Sequence, residues 1–315
     1  MKRPRILCIG EGMAELSRRS DGVGSAWRLA HGGDMLDVAA HLARIGCDAA
    51  FYTALGIDPF SREARAAWEG WGIDCSAIAE HPHRGIGLYA IHTDGEGERS
   101  FTYWRENSAA RAMLAPPFLE GAREAVAAAD VLVFSLITLA VLEGDGRKAM
   151  IDLAREARAA GKQVVFDGNY RPRLWQDAAE ALHWRDEGRR WASLGLPTLE
   201  DEILLCGASD ADAVAQAWAD GSEGGIEVVV KLGAGGCRLP GGAMVPPPAV
   251  LRPLDTSGAG DAFDAGYIAA RLAGADREEA ARAGHAMAGW VIMRAGAIPD
   301  SDGQAPYAEL SRYAG

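Results

Sequence analysis

Short apolar runs alternate with amphipathic segments along most of the chain. The apolar runs are typical of buried strands, and the amphipathic segments have the spacing of helices that cover a sheet. The pattern predicts strands at 6–9, 49–55, 131–135, 164–167, 228–231, 237–239 and 250–251, and helices at 35–45, 58–70, 119–128, 146–160, 178–192, 210–219 and twice after residue 261. This alternation indicates an α/β fold with a mainly parallel sheet and helices on both faces, in one domain over residues 1–315.

Two stretches, at about 12–34 and 85–107, depart from this alternation. The first is strand-like on both sides of Asp21-Gly22, and in the second the apolar segments 87–92 and 100–104 flank Asp94-Gly95-Glu96-Gly97, which favours a β-hairpin. We expect the two stretches to form a small antiparallel sheet that is inserted in the domain as a lid. Arg105 is expected at the tip of its hairpin.

The composition of the chain argues against some classes of binding partner. The chain has 315 residues, of which 49% are hydrophobic, and a formal net charge of −12. Such an acidic chain argues against a nucleic acid or an anionic membrane as partner, so any site for an anionic substrate must be locally basic. The five cysteines form no CxxC pair, and no apolar run is long enough for a signal peptide or a membrane span. These features predict a soluble cytoplasmic enzyme with reduced thiols.

The stretch DTSGAGD, residues 255–261, carries the clearest chemical signal. Small residues run into a predicted helix, whose first N–H groups attract anions, yet an acid stands at that start. We interpret Asp261 as a base that takes a proton from a hydroxyl group while the amides of Gly258, Ala259 and Gly260 hold the phosphoryl group that this hydroxyl attacks.

Other glycine-rich segments are weaker candidates for nucleotide binding. Gly10-Glu11-Gly12 has two glycines of a dinucleotide fingerprint, but Glu15 stands at the third position. A Walker motif is absent, because the Gly161-Lys162 pair is followed by Gln163. A nucleotide would then lie on the segment that follows the predicted strand 228–231, at Lys231, Gly233, Gly235 and Gly236. The alternative is a simple tight turn.

The chain resembles the ribokinase-like (PfkB) carbohydrate kinases over nearly its whole length. The resemblance is carried by GAGD at 258–261 and by HGGD at 31–34 followed by Asp37, which is similar to the signature GGxxxN. The segments GLY at 87–89, FTYWR at 101–105 and DGNYRPRLW at 167–175 resemble one branch of the family, the 2-keto-3-deoxygluconate kinases. A ribokinase-like three-layer α/β/α core is therefore expected.

The resemblance implies transfer of a phosphoryl group from ATP, with Mg²⁺, to the C6 hydroxyl of a sugar acid. Arg105 and Arg171 would bind the carboxylate, because the planar guanidinium group pairs with carboxylates through two parallel hydrogen bonds. Gly33, Tyr89, Tyr103 and Asn169 complete the set of substrate-binding residues that the resemblance implies, together with Asp37 and Asp261.

The loop before Asp261 leaves alternatives open. Asp255 and Thr256 would hold a monovalent cation or brace the loop, and a helix cap is an equal alternative for Asp255. The lid, with its exposed strand edges, makes a homo-oligomer plausible.

The sequence departs from the family pattern at two places. Asp37 replaces the asparagine of the signature, and an ionised aspartate accepts hydrogen bonds but donates none. Thr198 and Asp201 stand where many relatives carry an NxxE motif linked to metal and phosphate, so a metal role for Asp201 is open. A kinase of the same fold for another sugar or sugar acid, such as fructose or 2-keto-3-deoxygalactonate, and an inactive sugar-acid-binding regulator therefore remain as alternatives.

Three histidines favour structural roles. His81 and His83, near Cys75, have no spacing typical of a zinc site. His285 is expected to pack between helices rather than to contact a nucleotide.

Overall fold

The computed structural model describes residues 3–18, 27–93 and 99–314. Its strands are β1 (Arg5–Ile9), β2 (Met13–Arg18), β3 (Trp27–Gly32), β4 (Asp48–Tyr52), β5 (Ala54–Gly56), β6 (Ala79–His81), β7 (Gly87–Thr93), β8 (Arg99–Trp104), β9 (Val131–Ser135), β10 (Gln163–Asp167), β11 (Leu194–Gly195), β12 (Glu227–Val228), β13 (Val230–Lys231), β14 (Cys237–Arg238) and β15 (Met244–Val245).

The helices of the described residues are α1 (Asp34–Ile45), α2 (Pro59–Gly70), α3 (Leu119–Ala128), α4 (Leu136–Val141), α5 (Gly146–Ala159), α6 (Ala178–Trp191), α7 (Leu199–Cys206), α8 (Ala211–Asp220), α9 (Ala259–Leu272), α10 (Arg277–Val291) and α11 (Tyr307–Leu310). Within that part of the chain, no helix is long and apolar enough to cross a membrane.

The central sheet has six parallel strands in the order β12-β11-β10-β9-β1-β4. Alternate side chains of β1 enter two different cores, because successive residues of a strand point to opposite faces. Ile6 and Cys8 pack in a core that includes Phe263 of α9, whereas Leu7 and Ile9 pack in one that includes Met150 of α5. The predicted three-layer α/β/α core is confirmed.

The second sheet has the order β3-β2-β7-β8 and is formed by the two stretches predicted as a lid. The β7–β8 hairpin is confirmed, and β2 and β3 are also antiparallel. The prediction of a wholly antiparallel sheet is wrong, because β2 and β7 pair in parallel. A whole helix-containing segment separates these two strands in the chain, and such a connection permits parallel pairing. The predicted turns at 21–22 and 94–97 lie outside the described residues.

Three predicted strands differ in the structure. The predicted strand 49–55 is divided into β4, in the central sheet, and β5, which pairs with β6 in a two-stranded sheet. The predicted strand 228–231 is divided into β12, in the central sheet, and β13, which pairs with β14 in a separate small sheet. The prediction of a strand at 250–251 is wrong. Val250 is 96% exposed, and the strand that follows β13 and β14 in their small sheet is β15, at Met244–Val245. Val250 and Leu251 are apolar and have β propensity, but no strand pairs with them in the described part of the chain.

Helices α1 and α9 bring acidic first turns to one edge of the central sheet. Asp34, the first residue of α1, accepts a hydrogen bond from the hydroxyl of Ser135, the last residue of β9. Asp264, in the first turns of α9, is joined through Lys231 to Asp167, the last residue of β10. The carboxyl ends of parallel strands are where open α/β sheets bind ligands, so this edge is the place to look for the site.

Candidate active site

Helix α9 begins with an open N-terminus. Gly258 is the N-cap residue with φ 69°, a left-handed conformation that favours glycine, and no side chain caps the helix. A β-carbon on Gly258 would lie 2.5 Å from that of Ala297, so glycine is also required for space. The first N–H groups of a helix have no carbonyl within it to bind, which leaves the amides of Gly260 and Asp261 directed out of the helix start.

The loop before α9 is braced by Asp255. One carboxylate oxygen accepts the N–H of Ser257 at 3.0 Å, and the other accepts the N–H of Gly296 at 2.7 Å. These two bonds tie the segment before α9 to the segment that lies against Gly258. Among the roles predicted for Asp255, bracing of the loop is the one that these contacts support, and Thr256 beside it is exposed.

Asp261 is buried at the helix start, with 8% of its surface exposed. Burial raises its pKa to about 8, and the carboxylates of Asp34 and Asp167 add to the rise, against the opposite effect of Lys231 and Arg171. A carboxyl group with such a pKa is a stronger base than an ordinary aspartate, which suits proton abstraction near neutral pH.

Two further carboxyl groups lie on the first turn of α1. Burial raises the pKa of Asp34 to about 6, although the Ser135 hydroxyl that donates to it acts in the opposite direction. Asp37 Oδ1 accepts the N–H of Gly33 at 3.1 Å. Burial raises the pKa of Asp37 well above the ordinary value, and Asp261 and Asp34 raise it further.

Lys231 is turned into the protein. Its ammonium group lies 3.0 Å from Asp167 Oδ1 and 2.9 Å from Asp264 Oδ1, and all three side chains are buried. The two carboxylates raise the pKa of Lys231 despite its burial. A β-carbon on Gly260 would lie 3.6 Å from this ammonium group, so the positive charge lies behind the start of α9. The side chain therefore does not point into the glycine turn that follows it.

That turn is a short 3₁₀ helix at Gly233–Gly235 with an exposed surface. The N–H of Gly235 donates to Leu232 at 2.9 Å, and that of Gly236 donates to Gly233 at 3.1 Å. Gly236 has φ 91°, and a β-carbon there would lie 2.2 Å from the carbonyl oxygen of Val245, so this position needs glycine.

Arg105 lies at the core end of the hairpin. It follows Trp104, which pairs with Leu88, so the prediction that Arg105 lies at the hairpin tip is wrong. Its guanidinium group forms an ion pair with Glu11, and Ser108 Oγ donates to the same carboxylate at 2.5 Å. The side chain is 11% exposed and packs against the ring of Tyr103, 5.8 Å from its centroid. A charge so deeply buried needs a carboxylate partner, and Glu11 supplies it.

The two predicted tyrosines stack on the lid sheet, with ring centroids 5.8 Å apart. Tyr89 is buried and its hydroxyl donates to Glu15 Oε2 at 2.5 Å, whereas Tyr103 is partly exposed. A β-carbon on Gly32 would lie 2.6 Å from the Tyr89 hydroxyl and 3.8 Å from Asp37 Oδ1. The buried tyrosine thus lies beside the first turn of α1.

Arg171 follows β10 and pairs with Asp201 at 3.4 Å, with 52% of its side chain exposed. Asp201 also accepts the N–H of Tyr170 at 3.3 Å. Near them, Oδ1 of the buried Asn169 has no hydrogen-bond partner in the described part of the chain. The positive charge of Arg171 lowers the pKa of Asp261, and that of Arg105 lowers the pKa of Asp34, so both arginines act on one carboxylate cluster.

Comparison with known proteins agrees with this architecture. The model of the pfkB family carbohydrate kinases matches residues 3–303. The chain belongs to the pfkB family of carbohydrate kinases. A 2-dehydro-3-deoxygluconokinase of Escherichia coli K12 is 39% identical over 305 residues, which are 93% of this chain and 96% of that protein. The family resemblance seen in the sequence, and the prediction of a kinase, are confirmed.

Two solved structures share the fold of the kinase. A 2-dehydro-3-deoxygluconokinase from Thermotoga maritima has a TM-score of 0.83 at 21% identity, covering 98% of this chain and 99% of that one. A fructokinase from Xylella fastidiosa with bound ATP has a TM-score of 0.80 at 24% identity, covering 99% and 98%. At these identities the likeness supports the ribokinase-like fold.

Several residues of the kinase site were not found by sequence reasoning. Four buried acids pair with predicted site residues or repel them, namely Glu11, Glu15, Asp34 and Asp264. A weak signal existed for Glu11, because a charged residue between two glycines directly after a buried strand is unusual in an apolar environment. Asp34 belongs to the HGGD motif at 31–34, but no role was predicted for it, and Glu15 and Asp264 gave no signal of their own.

The histidines of the kinase have structural contacts. His81 Nδ1 accepts the backbone N–H groups of His83 and Arg84, and His285 Nε2 lies 2.9 Å from the carbonyl oxygen of Val245. Among the described residues, no group of three His, Cys, Asp or Glu side chains is arranged to hold a metal ion.

Proposed function

We propose that this kinase phosphorylates the C6 hydroxyl of 2-keto-3-deoxygluconate, also called 2-dehydro-3-deoxygluconate, with ATP as donor. The observation that carries the proposal is the buried Asp261 beside the open amides of α9. This arrangement places a base next to an anion site, as transfer of a phosphoryl group to a hydroxyl requires. The sugar acid is suggested by the 39% identical relative from Escherichia coli.

In the proposed mechanism, Asp261 removes the proton of the C6 hydroxyl as its oxygen attacks the terminal phosphoryl group of ATP. The amides of Gly260 and Asp261 would donate to the phosphoryl oxygens, where negative charge develops. The N–H of Ala259, which the sequence also suggested, already donates to the carbonyl oxygen of Thr256 at 3.3 Å. The ammonium group of Lys231 behind Gly260 adds positive potential without contacting the nucleotide. ATP would lie along the exposed turn Gly233–Gly235 and against Gly236 and Gly258.

The other end of the sugar acid would meet Arg105. Glu11, which accepts a hydrogen bond from Ser108, fixes this guanidinium group. A fixed planar donor can bind the substrate carboxylate with little further loss of entropy. The unpaired Oδ1 of Asn169 is a ready acceptor for a sugar hydroxyl group. Arg171 is already paired with Asp201 and is more exposed, so it would reach the substrate only by leaving that carboxylate.

Mg²⁺ would enter this site with the phosphates of ATP. The two acids considered for a metal do not fit that role, because Asp201 is engaged by Tyr170 and Arg171 and Asp255 by two backbone amides. Mg²⁺ usually keeps several waters and binds substrate phosphates with one or two carboxylates, so a site made by protein alone is not needed.

The sheet β3-β2-β7-β8 would act as the lid that excludes water during transfer. Its aromatic residues Trp27, Phe101, Tyr103 and Trp104 are each more than a third exposed. Such a surface is compatible with pairing of two lids in a homo-oligomer, which stays a prediction.

A coupled assay of ADP release tests the proposal across sugars and sugar acids. We expect turnover of 2-keto-3-deoxygluconate well above that of fructose or ribose, and 6-phosphorylated product by NMR. The aspartate at position 37, where the family signature has asparagine, motivates a second candidate, a kinase for a neutral sugar, because an aspartate that was ionised would repel a sugar acid. Brisk turnover of fructose with none of the sugar acid would select that candidate. Binding of the sugar acid without any turnover would indicate a regulator.

A further inference from the structure

Asp37 lies in the first turn of α1 and is 4% exposed. Among the described residues, the N–H of Gly33 is the one hydrogen-bond donor that the structure gives to its carboxyl group. An ionised carboxylate has about four lone-pair sites for donors, so a single hydrogen bond is poor compensation for removing the charge from water. Asp34 and Asp264 have stronger partners, in Ser135 and Lys231. Among the described residues Asp261 accepts no hydrogen bond, but the ammonium group of Lys231 lies behind the adjacent Gly260.

The groups that face Asp37 make its ionisation still less favourable. Asp34 lies on the same helix, Asp261 on α9 and Glu15 on β2, while the neutral phenol of Tyr89 approaches from β7. The strongest charges that act on Asp37 are thus all carboxylates. Neighbouring carboxyl groups in a dry site cannot all be ionised, and the proton stays on the group with the least support for its charge.

The support available to each carboxyl group identifies the one that keeps the proton. Asp261 has the positive charges of Lys231 and Arg171, and the pKa of Asp34 is lowered by the Ser135 hydroxyl, the Met35 N–H and Arg105. Asp37 has the Gly33 N–H alone in this comparison. Ionisation of Asp261 leaves its negative charge beside Asp37, which holds the proton on Asp37 more firmly.

We propose, on the basis of the proposed function, that Asp37 carries a proton in the working enzyme and that its carboxyl O–H donates a hydrogen bond to a hydroxyl oxygen of the sugar acid. A neutral carboxyl group offers one donor and an acceptor, as a primary amide does. Asp37 can then take the place of the asparagine in the signature GGxxxN. The neutral group also removes the repulsion that an aspartate at this position would exert on an anionic substrate.

The role of this proton predicts a pH profile with two limbs. At low pH the rate falls because Asp261 must be ionised to act as base. At high pH Asp37 loses its proton, so it becomes an acceptor that repels the substrate, and KM for the sugar acid rises. Loss of one hydrogen bond to a polar group corresponds to about a tenfold rise in KM.

Kinetics of Asp37→Asn and Asp37→Ala against pH test this role. The side-chain amide of asparagine donates a hydrogen bond and does not ionise, so the rise of KM at alkaline pH should vanish in Asp37→Asn. The acid limb, which reports Asp261, should stay at the pH of the wild type, because a protonated Asp37 and an asparagine are both uncharged. Asp37→Ala removes donor and acceptor, and its KM should exceed that of Asp37→Asn by about tenfold at every pH. An alkaline rise of the same size in Asp37→Asn would overturn the proposal.

Potentiometric titration of the protein without substrate tests the proton directly. Between neutral and alkaline pH, the wild type should release protons from one group more than Asp37→Asn does. Asp300→Asn, at an exposed aspartate, should match the wild type in this range and serves as control. Equal proton release by Asp37→Asn and the wild type would overturn the proposal whatever sugar the enzyme accepts. If the wild type releases one proton more than Asp37→Asn but does not turn over the sugar acid, the proposed function is refuted and the proton on Asp37 is not.

Discussion

Replacing Asp261 by asparagine should remove most of the activity and yet stabilise the fold at alkaline pH. The two effects have one cause, since the buried carboxyl group that we propose as the base is also a group whose charge the folded protein tolerates poorly. Asparagine has nearly the same shape and no charge. Loss of a general base typically lowers the rate by about 10²–10⁴-fold.

The size of the stabilisation follows from the pKa of Asp261. A pKa of about 8 lies about four pH units above the ordinary aspartate value of 3.8. Each unit corresponds to about 1.36 kcal/mol, so the ionised group destabilises the fold by up to about 6 kcal/mol. The penalty is absent below pH ~4, where Asp261 is neutral in the folded and unfolded states. It grows as the pH rises and is complete above pH ~8.

Urea unfolding at about pH 4.5 and pH 8.5 measures this difference. We expect Asp261→Asn to exceed the wild type in free energy of unfolding by about 2–6 kcal/mol at the higher pH and by less than about 1 kcal/mol at the lower one. Asp300→Asn controls for loss of an exposed carboxylate and should change little at either pH. A gain that is equal at both pH values would refute the buried-charge argument, and a rate within tenfold of the wild type would refute the role of base.

Three further substitutions test other parts of the site. Lys231→Met leaves two buried carboxylates unpaired and should lower the free energy of unfolding by about 3–5 kcal/mol at neutral pH. The loss should be smaller in acid, because burial raises the pKa of Asp264, which then takes up a proton. Equal loss at both pH values in urea unfolding would contradict this. Gly258→Ala should lower the free energy of unfolding more than Gly274→Ala does. Both glycines have positive φ, but only a β-carbon at Gly258 would meet a backbone neighbour. Urea unfolding measures the difference in stability between the two variants, and steady-state kinetics should show a lower kcat for Gly258→Ala. Arg105→Lys should raise KM for the sugar acid by about tenfold, because lysine lacks the planar guanidinium group that pairs with a carboxylate through two hydrogen bonds. The control Arg282→Lys, at an exposed arginine, should leave KM unchanged. An unchanged KM in Arg105→Lys would refute carboxylate binding by Arg105.

The elements with strong periodicity were predictable from the sequence. Helix α3 and strand β9 begin and end where the pattern places them, at 119–128 and 131–135. Helix α4 was missed because five of its six residues are buried, which removes the contrast between an apolar and a polar face. The parallel pairing of β2 with β7 was missed because strand order depends on contacts between distant segments rather than on local pattern.

The candidate site was predictable where a local motif fixes it. The run of small residues before Asp261 predicted a helix start that is open to an anion, and the structure has this open start with Asp261 buried at it, since helix starts and glycines have local signatures. The roles of anion site and base stay predictions. The charge pairs were not predictable. Lys231 lies 64 residues from Asp167, and Ser108 lies 97 residues from Glu11, so only the folded chain brings these groups together. The position of Lys231 at the end of a predicted strand suggested contact with the nucleotide, whereas its ammonium group pairs with Asp167 and Asp264 inside the protein.

The balance of charge in the cleft explains how an acidic protein could accept acidic substrates. The described residues of the cluster include more acids than cations, namely Glu11, Glu15, Asp34, Asp37, Asp167, Asp261 and Asp264 against Lys231, Arg105 and Arg171. If all the acids were ionised, a sugar acid and ATP would meet a net negative site, and burial would make the repulsion strong. Protons bound by the least supported acids remove that excess without any added cation. An aspartate at position 37 is then compatible with an anionic substrate only while its proton is held, which makes the pH at which that proton leaves an upper limit for sugar-acid binding.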